Sequence, residues 1–509
     1  MLRERRELTF TFQLIALFAV LIGFFFLLFP FGGVHAAEFR VTNTTELQNA
    51  LTTAQSNGQD DVIYLAAGVY SAVENGKGFV YDSTNGDNFK LTICGENGTT
   101  ADQVILDGGN AFAPVLSLVD ENPDHLNSAF TVQGITIRNG KMQEWDQNRG
   151  GVYIDLEFKE EILECWVIVK DCIIRNNVGD DAGGVAIYTD GCSVRFVNNV
   201  VIENTAMDDN GGAEIWGSPK IICSNNIIAS NTATDTVGGI EIGGEELIFV
   251  NNTISMNTAI NNDFCQGGGI DIDTDKAYLY NNIIWGNKSA GNLSDIGDLE
   301  NVEAYDYYND YHSVIGSQHF LVSVGHIDAD PLFVNPAAHD YHLSANSPCI
   351  DAGTDDAPEL PAADFEGDPR IVGSAPDIGA DEYYTGQPIP IPDIKVNGSD
   401  GPITLYQNDT LTITVSLNNN GITDNADWWL AADTPFGLYF YAFSGWVPYQ
   451  VPAYQGPLFY LDNYEVLSRP VLGLEEGTYT LYFGVDTDMD GDITWDSAYY
   501  DTVEVTVTD

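Results

Sequence analysis

Asn225-Asn226-Ile227-Ile228-Ala229-Ser230-Asn231 is one copy of a pattern that recurs through the middle of the chain. Two asparagines, two β-prone or apolar residues, two variable residues and a closing asparagine return at 198–204, 251–257 and 281–287. Weaker copies precede them, Gly134-Ile135-Thr136-Ile137-Arg138-Asn139 and Asp171-Cys172-Ile173-Ile174-Arg175-Asn176. The closing asparagine steps from 139 to 176, 204, 231, 257 and 287, so the intervals are 37, 28, 27, 26 and 30 residues. A second pattern interleaves with the first: Gly-Gly, an apolar residue, a variable residue and Ile, at 150–154, 183–187, 211–215, 238–242 and 268–272. Two locked series in the same order are not a product of chance.

Repetition at this period implies a solenoid, in which each unit cannot bury its apolar face alone and stacking completes the core. Short Val- and Ile-rich runs with period-two alternation are strands, and parallel stacking places successive coils about 4.8 Å apart. Asparagine suits the corners, because it tolerates left-handed backbone and its side chain can bond the next coil. The glycine pairs supply a tight bend before a strand. A coil near 27 residues is too long for a left-handed hexapeptide helix, and these repeats are too β-rich for leucine-rich or helical families. The expectation is an all-β chain: a right-handed parallel β-helix followed by a small immunoglobulin-like β-sandwich.

The boundaries follow from composition. Residues 1–36 read as a signal peptide, with Arg3, Arg5 and Arg6 ahead of an apolar stretch from Leu14 to Phe29 and a small-x-small site at Val34-His35-Ala36. The apolar stretch is long, so an uncleaved anchor helix is the competing reading; the breaking run Pro30 to Gly33 favours cleavage. The solenoid then spans 37–385, opened by a capped helix after Thr42 that covers its exposed strand edges. Residues 386–397 include Gln387-Pro388-Ile389-Pro390-Ile391-Pro392, a stiff spacer. Alternating strands at 411–417, 438–441, 479–483 and 503–507 form the sandwich of 398–509.

The chain holds 75 Asp and Glu against 19 Lys and Arg, a net charge of −56. Such a surface repels phosphate backbones, which excludes nucleic acid as a partner, and suits hard cations. With no second apolar segment of spanning length, a secreted or cell-surface monomer without a membrane span after signal removal is expected. Seven cysteines lack any CxxC pair, which argues against zinc; a bridge between neighbouring coils, such as Cys165 with Cys192, is one pairing that the spacing allows.

At Asp330-Pro331-Leu332-Phe333-Val334-Asn335, Asn346-Ser347-Pro348-Cys349-Ile350-Asp351-Ala352-Gly353, Asp364 to Arg370 and Asp377-Ile378-Gly379-Ala380, the chain resembles exported bacterial right-handed parallel β-helix repeat proteins with a choice-of-anchor Q domain. The resemblance covers roughly residues 38–384. It implies the fold and an exported, surface-displayed role, and places this segment at the C-terminal end of the helix; it implies no defined activity.

Chemistry is expected on the outer face of one stacked sheet. With apolar neighbours inward, Glu214, Glu241 and Asp271 point outward on successive coils, joined by Asp273. Carboxylates near 5 Å apart suit a glycoside hydrolase, with Glu241 as acid/base and Asp271 as nucleophile or base; they equally suit a calcium-dependent polysaccharide lyase, for which the nearby cations are only Arg149, Arg175 and Arg195. The non-catalytic alternative is a face that binds a polysaccharide, a cell-surface glycan or another partner. Trp428, Trp429, Trp446, Tyr449 and Tyr454 offer further stacking candidates. A Ca2+ site is expected at Asp486, Asp488, Asp490 and Asp492 around Gly491, although Ser497 stands where an EF-hand has Glu.

Overall fold

The computed structural model describes residues 36–508 except 87, 143–148, 159–164, 262–266, 298, 300, 316–319, 385–389, 420–421, 443–444, 488, 490 and 494–497, with backbone alone at Ser218 and Asp462. The expected signal segment, Cys265, Asp488, Asp490 and part of the Pro-rich spacer lie outside the described residues. Among the described residues no helix is long and apolar enough to cross a membrane.

The chain opens with the strand Ala37–Val41 and the helix Thr44–Ala54. Asn43 caps the helix by accepting the Glu46 N–H, and Glu46 reaches back to the Thr42 N–H at 2.8 Å. The helix buries Leu47, Ala50, Leu51 and Ala54 in the same core as the first strands. It thereby covers the open end of the stack.

From Asp61 to Tyr311 the chain winds in coils whose strands pair in parallel with the coil before and after. One coil consists of Ala213–Ser224, Ile227–Ala229 and Thr232–Ala233. The long strand serves two faces: Ala213 to Trp216 pair with Val185 to Tyr188, and Ile221 to Ser224 with Val194 to Val197. Inward Val, Ile, Leu and Phe from Val41 to Tyr311 form one continuous core.

Two buried asparagine ladders run along the stack. Asn199, Asn226, Asn252, Asn282 and Asn309 make one. Asn177, Asn204, Asn231, Asn257 and Asn287 make the other, which ends on Asp295. The corner role expected of one asparagine is divided. The first residue of each Asn pair (Asn198, Asn225, Asn251, Asn281) takes the left-handed backbone, and so does the residue before the closing Asn, here Glu203, Ser230, Met256 and Gly286. In the earlier copies Asn139 and Asn176 fill that preceding position. The ladder there begins at Asn177, one residue later than the sequence alignment places it, and the interval to Asn204 is 27. The glycine pairs also act differently. They are needed because coils nearly touch: a Cβ at Gly212 would lie 2.4 Å from the Gly239 carbonyl oxygen.

Cys165 and Cys192 are disulfide-bonded across successive coils, while Cys94, Cys172, Cys223 and Cys349 are free. Residues 330–384 do not add further coils. Their strands are the short antiparallel pair Phe333–Asn335 and Asp340–Leu343, and the segment lies along the outside of the stack as a strap. Arg370 is buried there and donates to Asn225 Oδ1 at 2.6 Å, and Asn251 donates to the Asp377 and Gly379 carbonyls. The outward positions of these coils are apolar (Ile227, Ala229, Ile283), so a cover buries them more favourably than water would.

Residues 391–508 form a three-stranded and a seven-stranded sheet around a shared core. All the expected strands are present, and Asn425–Thr434 is a further central one. Ile403–Tyr406 pairs in parallel with Ala498–Thr508, unlike its antiparallel neighbours.

Candidate functional site

Strand register assembles the site. Tyr153, Ala186, Glu214, Glu241 and Asp271 are partners on five successive coils, and Asp155, Tyr188, Trp216, Gly243 and Asp273 form the next outward column. The expected column of Glu214, Glu241 and Asp271 is therefore in place, at a strand spacing of about 4.8 Å. Asp273 is exposed, whereas Asp271 is only 9% exposed. A Cβ at Gly297 would fall 1.9 Å from Asp271 Oδ1, so the chain at Gly297 closes over Asp271 and ends the column.

Glu214 is held by the Tyr188 hydroxyl and the Trp216 indole N–H, with the Arg149 guanidinium nearby. Burial raises its pKa, and these contacts oppose the rise. Glu241 has less relief. Burial is the main cause, with Asn210 donating a single hydrogen bond and Glu214, Asp271 and Asp209 adding repulsion, and its pKa is pushed up to about 8. Glu241 therefore holds its proton at neutral pH.

Arg149 lies over the rings of Tyr153 and Tyr188, at 4.7 and 4.8 Å from their centroids. Its buried Nε finds no hydrogen-bond partner among the described residues. The Trp216 ring lies over Gly243, whose missing side chain leaves room for it: a Cβ there would be 2.2 Å from Trp216 Cε3. On the bends before the column, Asp181, Asp208 and Asp209 bring carboxylate oxygens within 4.8 Å of one another. Burial, then Asp208 and Asp181, push Asp209 up to about 6.

Arg149, expected as one of three nearby cations, lies beside the column, whereas Asn210, Tyr188 and Trp216 were not among the residues singled out from sequence. A signal existed for Asn210. Arg149, Ala182, Asn210 and Val237 stand immediately before successive glycine pairs and are bridge partners, so lining up the repeats puts Arg149 and Asn210 beside the acidic column. The other expected cations lie elsewhere: Arg195 stacks on Trp166 at 4.4 Å and pairs with Glu359 at 3.0 Å, on another face, and Arg175 is on the strand Ile173–Arg175.

A family model described as the right handed beta helix region matches residues 127–294. The coiled part of this chain is a right-handed parallel β-helix. The match spans the whole acidic column of the β-helix, from Tyr153 to Asp273. Neither the curated proteins nor the solved structures include a match.

Of the expected cation loop, Asp486 ends the strand Gly477–Asp486, fully buried, and Asp492 is exposed. Asp486 pairs in register with Asp427, which is also fully buried. Asp427 accepts the Gly491 N–H at 2.7 Å and the Gln455 amide at 2.6 Å, and so ties the loop to the sheet. Gly491 has φ +89°, the left-handed turn that glycine allows. Trp428 and Trp429, considered for sugar stacking, are 5% and 4% exposed and pack in cores on either side of their sheet.

Proposed function

We propose that the β-helix binds a neutral polysaccharide along the outward face that presents Glu214 and Glu241, as an exported protein displayed at or released from the cell surface. The observation that carries this reading is Glu214, oriented by Tyr188 and Trp216 on the same outward face that presents Glu241. Carboxylates accept pairs of sugar hydroxyls, and aromatic faces cover the apolar faces of the rings. Anionic glycans are disfavoured, since one arginine faces a stripe of acids. The resemblance of 330–384 to choice-of-anchor Q segments supports surface display.

Affinity electrophoresis through gels cast with neutral, uronic-acid and sulfated polysaccharides tests this. Retardation by a neutral glycan, reduced at least tenfold in Trp216→Ala and Glu214→Gln, is the expected result. Equal mobility of wild type and both variants in every gel refutes it.

Glu241 favours a second reading, glycoside hydrolysis. A protonated carboxyl beside ionisable Glu214 and Asp271 has the arrangement of a general acid with a partner carboxylate. Reducing ends released from the retained glycan, and abolished in Glu241→Gln, would establish it. For the loop ending at Asp492, Ca2+ binding is proposed on Asp486 and its acidic neighbours. Chelation should lower the melting temperature of residues 391–508 by several degrees, and an unchanged melting curve dismisses the ion.

A further inference from the structure

We propose a second ligand site, in the C-terminal sandwich, for a small amphiphile: an apolar chain of roughly a dozen carbons ending in a carboxylate. A cavity of about 370 Å3 lies between the two sheets. Leu411 and Ile413 wall it from the three-stranded sheet, and Leu481 and Val505 from the seven-stranded one. Protein interiors are close-packed, and an apolar void forfeits the contacts of every atom lining it. Water compensates poorly, because an apolar lining offers it few partners. A cavity of about 150 Å3 accommodates benzene, so this one has space for about twice as many carbon atoms. Its size and apolar lining fall in the range of small-molecule sites.

The mouth supplies the second half of the argument. Arg469 is the only Lys or Arg between residues 398 and 509, a stretch otherwise rich in Asp and Glu. It lines this cavity, is exposed and makes no ion pair among the described residues. Phe436, 61% exposed, adds apolar surface at the opening. Glu475 also lines the cavity, so an anionic head is accommodated only on the Arg469 side. A carboxylate on the guanidinium with the chain directed between the sheets satisfies both features at once.

Titration calorimetry of the full chain with dodecanoate, dodecanol and dodecyltrimethylammonium, all below their micelle concentrations, tests the site. Dodecanoate should bind once per chain. Arg469→Gln should weaken dodecanoate about tenfold and leave dodecanol unchanged, and Leu481→Trp, which fills the cavity, should abolish both. Absence of saturable dodecanoate binding overturns the proposal, as does stronger binding of the cationic amphiphile or indifference of dodecanoate to Arg469→Gln. Arg469 is on the rim and outside the core, so that variant decides the matter even if Leu481→Trp does not fold.

Discussion

Asn204 donates its side-chain N–H to Asn231 Oδ1 at 3.0 Å, and the same oxygen accepts the Asn204 backbone N–H at 3.0 Å. Asn231 repeats both bonds to Asn257 and gives a third to the Val201 carbonyl at 2.9 Å. Each buried asparagine therefore replaces the backbone hydrogen bonds that the chain forgoes where it turns a corner.

Asn231→Ala leaves two buried donors on Asn204 without their acceptor and takes one hydrogen bond from the Val201 carbonyl. The expected cost is about 3 kcal/mol or more, read as a lower urea midpoint. Asn198→Ala, at a partly exposed left-handed corner, should cost about 1 kcal/mol. Equal effects of the two substitutions would contradict the ladder's role.

Gly212→Ala should be more damaging than Gly98→Ala. The added Cβ at Gly212 meets the Gly239 oxygen at 2.4 Å and Asn231 Nδ2 at 2.9 Å, whereas at Gly98 nothing lies within 4 Å and only the left-handed backbone (φ +82°) is strained. Expected losses are several kcal/mol against about 1 kcal/mol, compared by thermal melts.

Stability should fall as pH rises from about 5 to 8. The folded-state pKa of Glu241 is raised to about 8, and those of Asp377, Asp381 and Glu382 to about 6, 7 and 8, in each case chiefly by burial. A carboxyl raised in the folded state binds more protons folded than unfolded, so stability drops between its unfolded and folded pKa values and levels off above the latter. His342, raised to about 10 chiefly by its hydrogen bond to Glu366, acts in the same direction, stabilising below its unfolded pKa and losing that contribution as pH climbs through the folded one. Glu241→Gln should flatten part of the slope and raise the melting temperature at pH 8 while changing little at pH 4. A melting temperature that rises between pH 5 and 8 would refute the assignment.

Reduction of Cys165–Cys192, which closes a separation of 27 residues, should cost about 3 kcal/mol by loop entropy. The Cys165→Ser/Cys192→Ser protein should show the same loss without reductant, and its melting curve should no longer respond to dithiothreitol.

Much of the architecture is legible in one dimension, for a physical reason. In a solenoid each coil touches its sequence neighbours, so the register that stacks Glu214 on Glu241 on Asp271 is the repeat itself. The capping helix is local too, written in Asn43 and Glu46. Asn176 misled because left-handed corners and inward ladders both select asparagine, and composition does not tell a turn from a stack of hydrogen bonds.

What the linear order left open involves residues brought together by something other than the repeat. The strap of 330–384 carries hallmarks of an end segment, yet its buried Arg370 bonds to Asn225, 145 positions earlier, and no local preference encodes such a pairing. Asp427 beside the loop at Gly491, and Arg469 at an opening between two sheets, are contacts of the same long-range kind. The repeating order of Asn, Gly and Ile was sufficient to determine the coil, because stacking repeats one local interaction. Tertiary packing alone decided the acidity of Glu241, the cover over the outer coils and the cavity of the sandwich, because burial depends on what folds back from far along the chain.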